Sequence, residues 1–161
     1  MTDRTKPRKS SPRSAGLLLY RVGAAGLEVL LVHPGGPFWA RRDAGAWSIP
    51  KGEYEPGEEP LDAARREFSE ELGGAAPDGE PIDLGEVRLK SGKAVRAWAV
   101  AGDFDPETLA SNTFTMQWPP RSGQSREFPE VDRAQWFALK EARVKLNPAQ
   151  VALLDRLPQM P

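Results

Sequence analysis

The chain has no cysteine. That excludes disulfides, thiolate zinc sites and a cysteine nucleophile. It has a single histidine, His33, at the end of an apolar run, where a structural role is expected over a catalytic one. It lacks a charge excess of either sign, since 22 basic and 23 acidic residues leave a formal net charge of −1. Bulk charge therefore argues for neither a nucleic-acid partner nor a membrane surface. No apolar run approaches the ~20 residues of a membrane span. The basic N-terminus is not followed by the long apolar core and small-residue cleavage site of a secretory signal, so the expected compartment is the cytoplasm. What is present, 39% hydrophobic and 28% charged residues over 161 positions, suits one globular domain with a real core.

Residues 1–14 (MTDRTKPRKSSPRS) are rich in basic residues and contain almost nothing apolar. A disordered tail is expected there, ahead of a single domain over 15–161. Two apolar runs, 15–22 and 27–33, flank the turn signal Gly23-Ala24-Ala25-Gly26 and predict a β-hairpin. Pro34-Gly35-Gly36-Pro37 forces a loop, and Trp47-Ser48-Ile49 reads as a short strand stopped by Pro50. From Pro60 to Leu72 the pattern turns helical. Leu61, Ala64, Phe68 and Leu72 recur at spacings of three and four, Pro60 suits the first turn, and Gly73-Gly74 supplies the stop. Runs 84–90 and 94–101 around Ser91-Gly92 predict a second hairpin. Residues 102–130 read as a long irregular, polar loop, the kind that is usually functional or mobile. A last strand is expected over 131–139 and a C-terminal helix from Pro148, with Val151, Leu154 and Leu157 inward. Strands on both sides of one strong helix, with another helix at the end, suggest a layered α/β domain.

The helix also carries chemistry. Glu67, Glu70 and Glu71 sit at i, i+3 and i+4, so they share one side, away from Phe68 and Leu72. Clustered carboxylates repel, and at least one pKa should rise. A hard divalent cation relieves that repulsion, and Mg²⁺ combines carboxylates with substrate phosphate oxygens. By itself the helix leaves a second reading open: a solvated acidic face with Arg65 and Arg66 as ordinary surface partners.

The preceding loop changes the balance. Gly52, Glu58, Arg66, Glu67, Phe68, Glu70, Glu71 and Gly73 stand in the register of G-x5-E-x7-R-E-U-x-E-E-x-G-U, where U is a bulky apolar residue. The chain thus resembles the Nudix hydrolase family, from the strands before the motif to the helix after it. Two positions depart mildly: Phe68 fills a U usually aliphatic, and Gly74 stands where the last U would be. The resemblance implies an α/β/α sandwich with a mixed sheet and hydrolysis of a pyrophosphate linkage with Mg²⁺ or Mn²⁺. It implies Glu67, Glu70 and Glu71 as metal ligands, joined by the backbone carbonyl of Lys51. Glu67, Glu70 and Arg66 would serve catalysis, with the identity of the base left open between carboxylates. Arg66 and Glu58 would tie the loop to the helix, and Gly52 and Gly73 would serve backbone geometry. A further acid is expected from Glu127 or Glu130, with Glu130 favoured by its spacing to Trp136.

For the substrate, Trp47-Ser48-Ile49-Pro50-Lys51-Gly52 is similar to the Trp-x-x-Pro-Lys-Gly entry of diadenosine-polyphosphate and diphosphoinositol-polyphosphate hydrolases of that family. It implies a dinucleoside polyphosphate or nucleoside triphosphate, with Lys51, Trp47 and Arg41 as candidate contacts. Trp39, Tyr54 and Trp118 are further candidate stacking surfaces. ADP-ribose or a damaged nucleotide is the alternative within the family. A non-catalytic nucleotide-binding regulatory module is the alternative outside enzymes. The implied partner is a small nucleotide, with no membrane and no nucleic acid.

Overall fold

The computed structural model describes residues 13–158. Its main sheet is mixed. Strands β1 (Arg13–Gly23), β2 (Gly26–Pro34), β4 (Ile82–Arg88), β5 (Ala94–Ala101) and β8 (Val131–Ala138) lie in the order β4-β5-β1-β2-β8, and β3 (Lys51–Glu53) pairs with the start of β1. Only β1 and β5 run parallel; the other pairs are antiparallel. Side chains alternate across the sheet with period two. Leu17, Leu19, Leu30 and Val32 pack with Ala63, Ala64, Phe68 and Leu72 of α1 (Pro60–Leu72) on one face. Leu18, Val29 and Leu31 pack on the other with Phe137 of β8, with Ala142 and Leu146, in and just after α2 (Leu139–Lys145), and with Leu153 and Leu154 of α3 (Val151–Asp155). The result is the expected α/β/α sandwich. Among the described residues no helix is long and apolar enough to cross a membrane.

The helix α1 forms for the reasons its sequence offers. Pro60 opens it, and the chain leaves through Gly73 in the left-handed region (φ 84°), whose N–H reaches the Ser69 carbonyl at 2.8 Å. Phe68 and Leu72 are fully buried, each worth about 1.5–3 kcal/mol of transfer from water.

Several expectations are corrected. Arg13 and Ser14 are not tail but the start of β1, where Ser14 pairs with Glu53 and is buried; the rest of the expected tail lies outside the described residues. Trp47 to Ile49 is not a strand. It makes isolated bridges, Ser48 to Val32 and Trp47 to Leu146, and regular pairing begins only after Pro50. Segment 102–130 is not structureless. It holds a 3₁₀ turn, Pro106–Thr108, and a separate hairpin of β6 (Thr113–Gln117) and β7 (Ser125–Pro129). That hairpin is largely exposed, so its strands carry too few apolar residues to announce themselves. The seven-residue α2 was unforeseen because it continues directly from β8. The C-terminal helix opens with a 3₁₀ turn, Pro148–Gln150, in which the Asn147 side chain accepts from the Ala149 N–H.

Candidate active site

The site lies where β3, the acidic side of α1 and the start of β8 meet. A cleft of about 190 Å³ there is lined by Lys51, Glu71 and Glu130, with Val32, Pro34, Ser48, Ile49 and Val131. Glu71 is held against β3, its Oε1 accepting the Lys51 backbone N–H at 3.3 Å. Burial pushes its carboxyl up to about 8, with the charges of Glu67 and Glu130 adding and Lys51 opposing. Burial likewise lowers the Lys51 ammonium, and neighbouring Lys93 adds to this. Glu67, driven first by burial and then by the Glu70 charge, is raised to about 7. Its carboxylate rests against Gly52, where a Cβ would stand 1.8 Å from its Oε1. Only glycine leaves room for that side chain.

Arg66 clamps the loop to the helix. Its Nε and Nη2 donate to the two Glu58 carboxylate oxygens at 3.0 and 3.2 Å, and Nη2 also reaches the Glu53 carbonyl at 3.4 Å. Its Nη1 lies 3.5 Å from Glu67 Oε2 and 3.4 Å from Glu70 Oε1. The same side chain therefore fixes the loop and partly neutralises two of the acids.

Whether these residues suit a divalent cation can be tested on their chemistry. No three carboxylate or imidazole side chains among the described residues form a ready cage; the Arg66 guanidinium reaches toward both Glu67 and Glu70. Mg²⁺ seldom needs an all-protein cage, since it keeps waters and shares substrate phosphates. The donors are all hard oxygens. Glu67 and Glu71 are both held where their charge is poorly compensated, and the space at Gly52 is reserved for a carboxylate. The donor set fits a hard divalent ion.

Other expected residues separate clearly. Glu130 lines the cleft, whereas Glu127 sits on the exposed β7, opposite Thr115. Trp47 is corrected as a substrate contact: it is 1% exposed, packs on His33 and Phe137, and donates its Nε1–H to Asp43 at 2.8 Å. Arg41 is exposed on the loop after β2 and lines no part of the cleft. Tyr54 packs partly buried beside α1. His33 is fully buried between Asp132 Oδ1 (2.8 Å) and the Arg42 carbonyl (2.6 Å), the structural place expected of it. Sequence reading missed Pro34, Ser48 and Ile49 as cleft walls; only the bridge between Ser48 and Val32 brings them there.

The α/β/α layers set a carboxylate helix beside a lysine-bearing cleft. The NUDIX domain family model matches residues 10–157, and the chain belongs to that family; it is a Nudix hydrolase. Among solved structures it is similar to a binary complex of the C. elegans Ap4A hydrolase (23% identity, 89% of this chain and 93% of that one, TM-score 0.62). It is also similar to the NUDIX domain of Shewanella oneidensis NrtR complexed with ADP ribose (15% identity, 97% and 96%, TM-score 0.61). A third is the MutT protein from Methanosarcina mazei Go1 (20% identity, 94% and 95%, TM-score 0.56). At these identities the likeness is one of fold. A search of curated proteins finds no match.

Proposed function

We propose that this Nudix hydrolase cleaves a pyrophosphate linkage in a nucleoside diphosphate-linked substrate, a dinucleoside polyphosphate or a nucleoside triphosphate. The observation that carries the reading is the cleft in which Lys51, Glu71 and Glu130 meet beside Glu67. Glu67, Glu70 and Glu71, with the Lys51 carbonyl and Glu130, would hold Mg²⁺ or Mn²⁺. A bound ion supplies charge neutralisation at the phosphates and a lower pKa for water. The chain's own groups do the rest. Lys51 offers a cation to phosphate oxygens from within the cleft. Without an ion, burial and neighbouring carboxylates raise Glu67 to about 7 and Glu71 to about 8, and a divalent cation between them would favour their charged forms. Arg66 holds Glu67 and Glu70 in place while Glu58 holds Arg66.

The C. elegans neighbour is an Ap4A hydrolase, which supports the dinucleoside polyphosphate. The Shewanella domain is bound to ADP ribose, which favours that compound as the second reading. Non-catalytic modules of this kind usually lose acids from the motif, and this chain keeps Glu67, Glu70 and Glu71, which argues against that reading. The test is product release with Mg²⁺ from diadenosine polyphosphates, nucleoside triphosphates, ADP-ribose and diphosphoinositol polyphosphates, with EDTA controls. A substrate cleaved only without EDTA, and lost in Glu70→Gln with the fold intact by circular dichroism, is expected. Full activity of that variant would sink the metal assignment.

A further inference from the structure

A chain of backbone hydrogen bonds runs outward from the acidic helix. The Glu70 carbonyl accepts from the Asn112 N–H at 2.9 Å, the Asn112 carbonyl from the Glu130 N–H at 2.9 Å, and the Glu130 carbonyl from the Gly35 N–H at 3.0 Å. Gly35 begins the exposed loop after β2. A Cβ on Gly35 would stand 2.0 Å from the Pro129 carbonyl oxygen, so loop and hairpin root touch backbone to backbone. Phe114 of β6 closes on Gly36, backed by Phe128 with ring centroids 6.0 Å apart. At the outer end, Phe38 meets Trp118 edge to face at 5.6 Å. Residues 34–42 and the β6–β7 hairpin are therefore one wall, rooted in the cleft through Pro34 and Glu130.

The wall has a surface chemistry of its own. Phe38 is 62% and Trp39 is 37% exposed, and among the described residues only Val22 and Val144 join them as exposed large hydrophobics. The Arg42 guanidinium lies 5.6 Å from the centroid of the Trp39 ring. Arginine ion pairs among the described residues involve Arg21, Arg66, Arg96, Arg133 and Arg143. None involves Arg41, Arg42, Arg121 or Arg126, the arginines of the wall. Exposed aromatic faces on the same two segments as these arginines, which have no carboxylate partner among the described residues, suit a flat heteroaromatic ring carried on phosphates.

We infer that this wall binds the base of a nucleoside di- or polyphosphate, with Phe38, Trp39 and Trp118 as its stacking surface. The arginines of the same two segments supply charge for phosphates that extend beyond the cleft. The inference rests on the nucleotide reading above. It assigns base selection to the wall and bond cleavage to the helix.

Calorimetric titration of the full chain with ADP and with inorganic pyrophosphate, both with Mg²⁺, tests it. Wild type should bind ADP about tenfold more tightly than pyrophosphate. The Phe38→Ala/Trp118→Ala double variant should lose most of that difference while holding pyrophosphate unchanged. Phe38→Ala alone removes a ring that is mostly exposed, so it keeps the fold and should still weaken ADP severalfold. Equal wild-type affinity for ADP and pyrophosphate would overturn the inference, as would unchanged ADP affinity in both variants. The readout is binding, so failure to cleave any compound of the panel would count against the hydrolysis reading alone.

Discussion

The floor of the site and its outer wall place their charges in opposite settings. On the floor, Glu71 is pressed against the β3 backbone and Glu67 against Gly52, where burial and mutual repulsion hold both carboxyls up. On the wall, the arginines stand on exposed segments with no ion-pair partner among the described residues, and Arg42 lies beside the solvent-open Trp39 ring. A buried charge in a fixed position is strong and unforgiving, and suits the chemical step. An exposed charge beside an aromatic face is weak and adaptable, and suits recognition. The comparison teaches that losses on the floor should appear in kcat and losses on the wall in KM.

The largest effect should come from Glu71→Gln, with kcat falling roughly 10²–10³-fold or more. Rates on the best substrate of the panel measure it, with circular dichroism confirming the fold. A fall in KM affinity alone would break the division between floor and wall. Next come two glycines that swap the regions. Gly52→Ala drives a methyl into Glu67 and should reduce kcat on every substrate, at a cost of about 1–3 kcal/mol of stability from overpacking. Gly35→Ala drives the loop off Pro129 and should raise KM for nucleotides. If both variants show the same kinetic pattern, wall and floor are not separate devices.

Acidity gives a smaller effect with a definite sign. Glu67 at about 7 and Glu71 at about 8 lie above the 4.5 of a free glutamate. A folded pKa above the unfolded one means that the native state binds more protons in that window. Stability from these groups is full below about pH 4.5 and is lost as pH rises toward about 8. In EDTA the melting temperature should therefore decline across this range, and Glu71→Gln should flatten the decline. Added Mg²⁺ should raise the melting temperature more at the alkaline end, where it no longer competes with protons. The smallest kinetic change belongs to Trp47→Phe. Loss of the bond to Asp43, about 1 kcal/mol, adds to the cost of the cavity that the smaller ring leaves in the core, both read by chemical denaturation, with KM and kcat untouched.

Much of the floor was legible before any fold was known. The i, i+3, i+4 acids, the Pro60 start, the Gly73 stop and the Arg66–Glu58 register are local, and a helix converts such spacing directly into shared faces. The wall was legible only as separate rings: Trp39 and Trp118 stood as candidate stacking surfaces, but nothing in the sequence joined them to Phe38. Phe38 and Trp118 are eighty residues apart, and the hairpin bearing Trp118 is too polar to stand out as strands. Trp47 was misread as a contact for the same reason: tryptophan has an apolar body and a polar tip, and only its neighbours decide which matters.

By itself, then, the sequence determined the acidic helix, its caps, the loop glycines and the family, because each depends on residues within a few turns of one another. The tertiary structure decided which acid beyond the helix joins the cleft, Glu130 over Glu127. It decided that Trp47 is core, and that Gly35, Asn112 and Glu130 link the acids to an aromatic wall. Those outcomes depend on backbone hydrogen bonds and contacts between segments far apart in the chain, which no local pattern encodes.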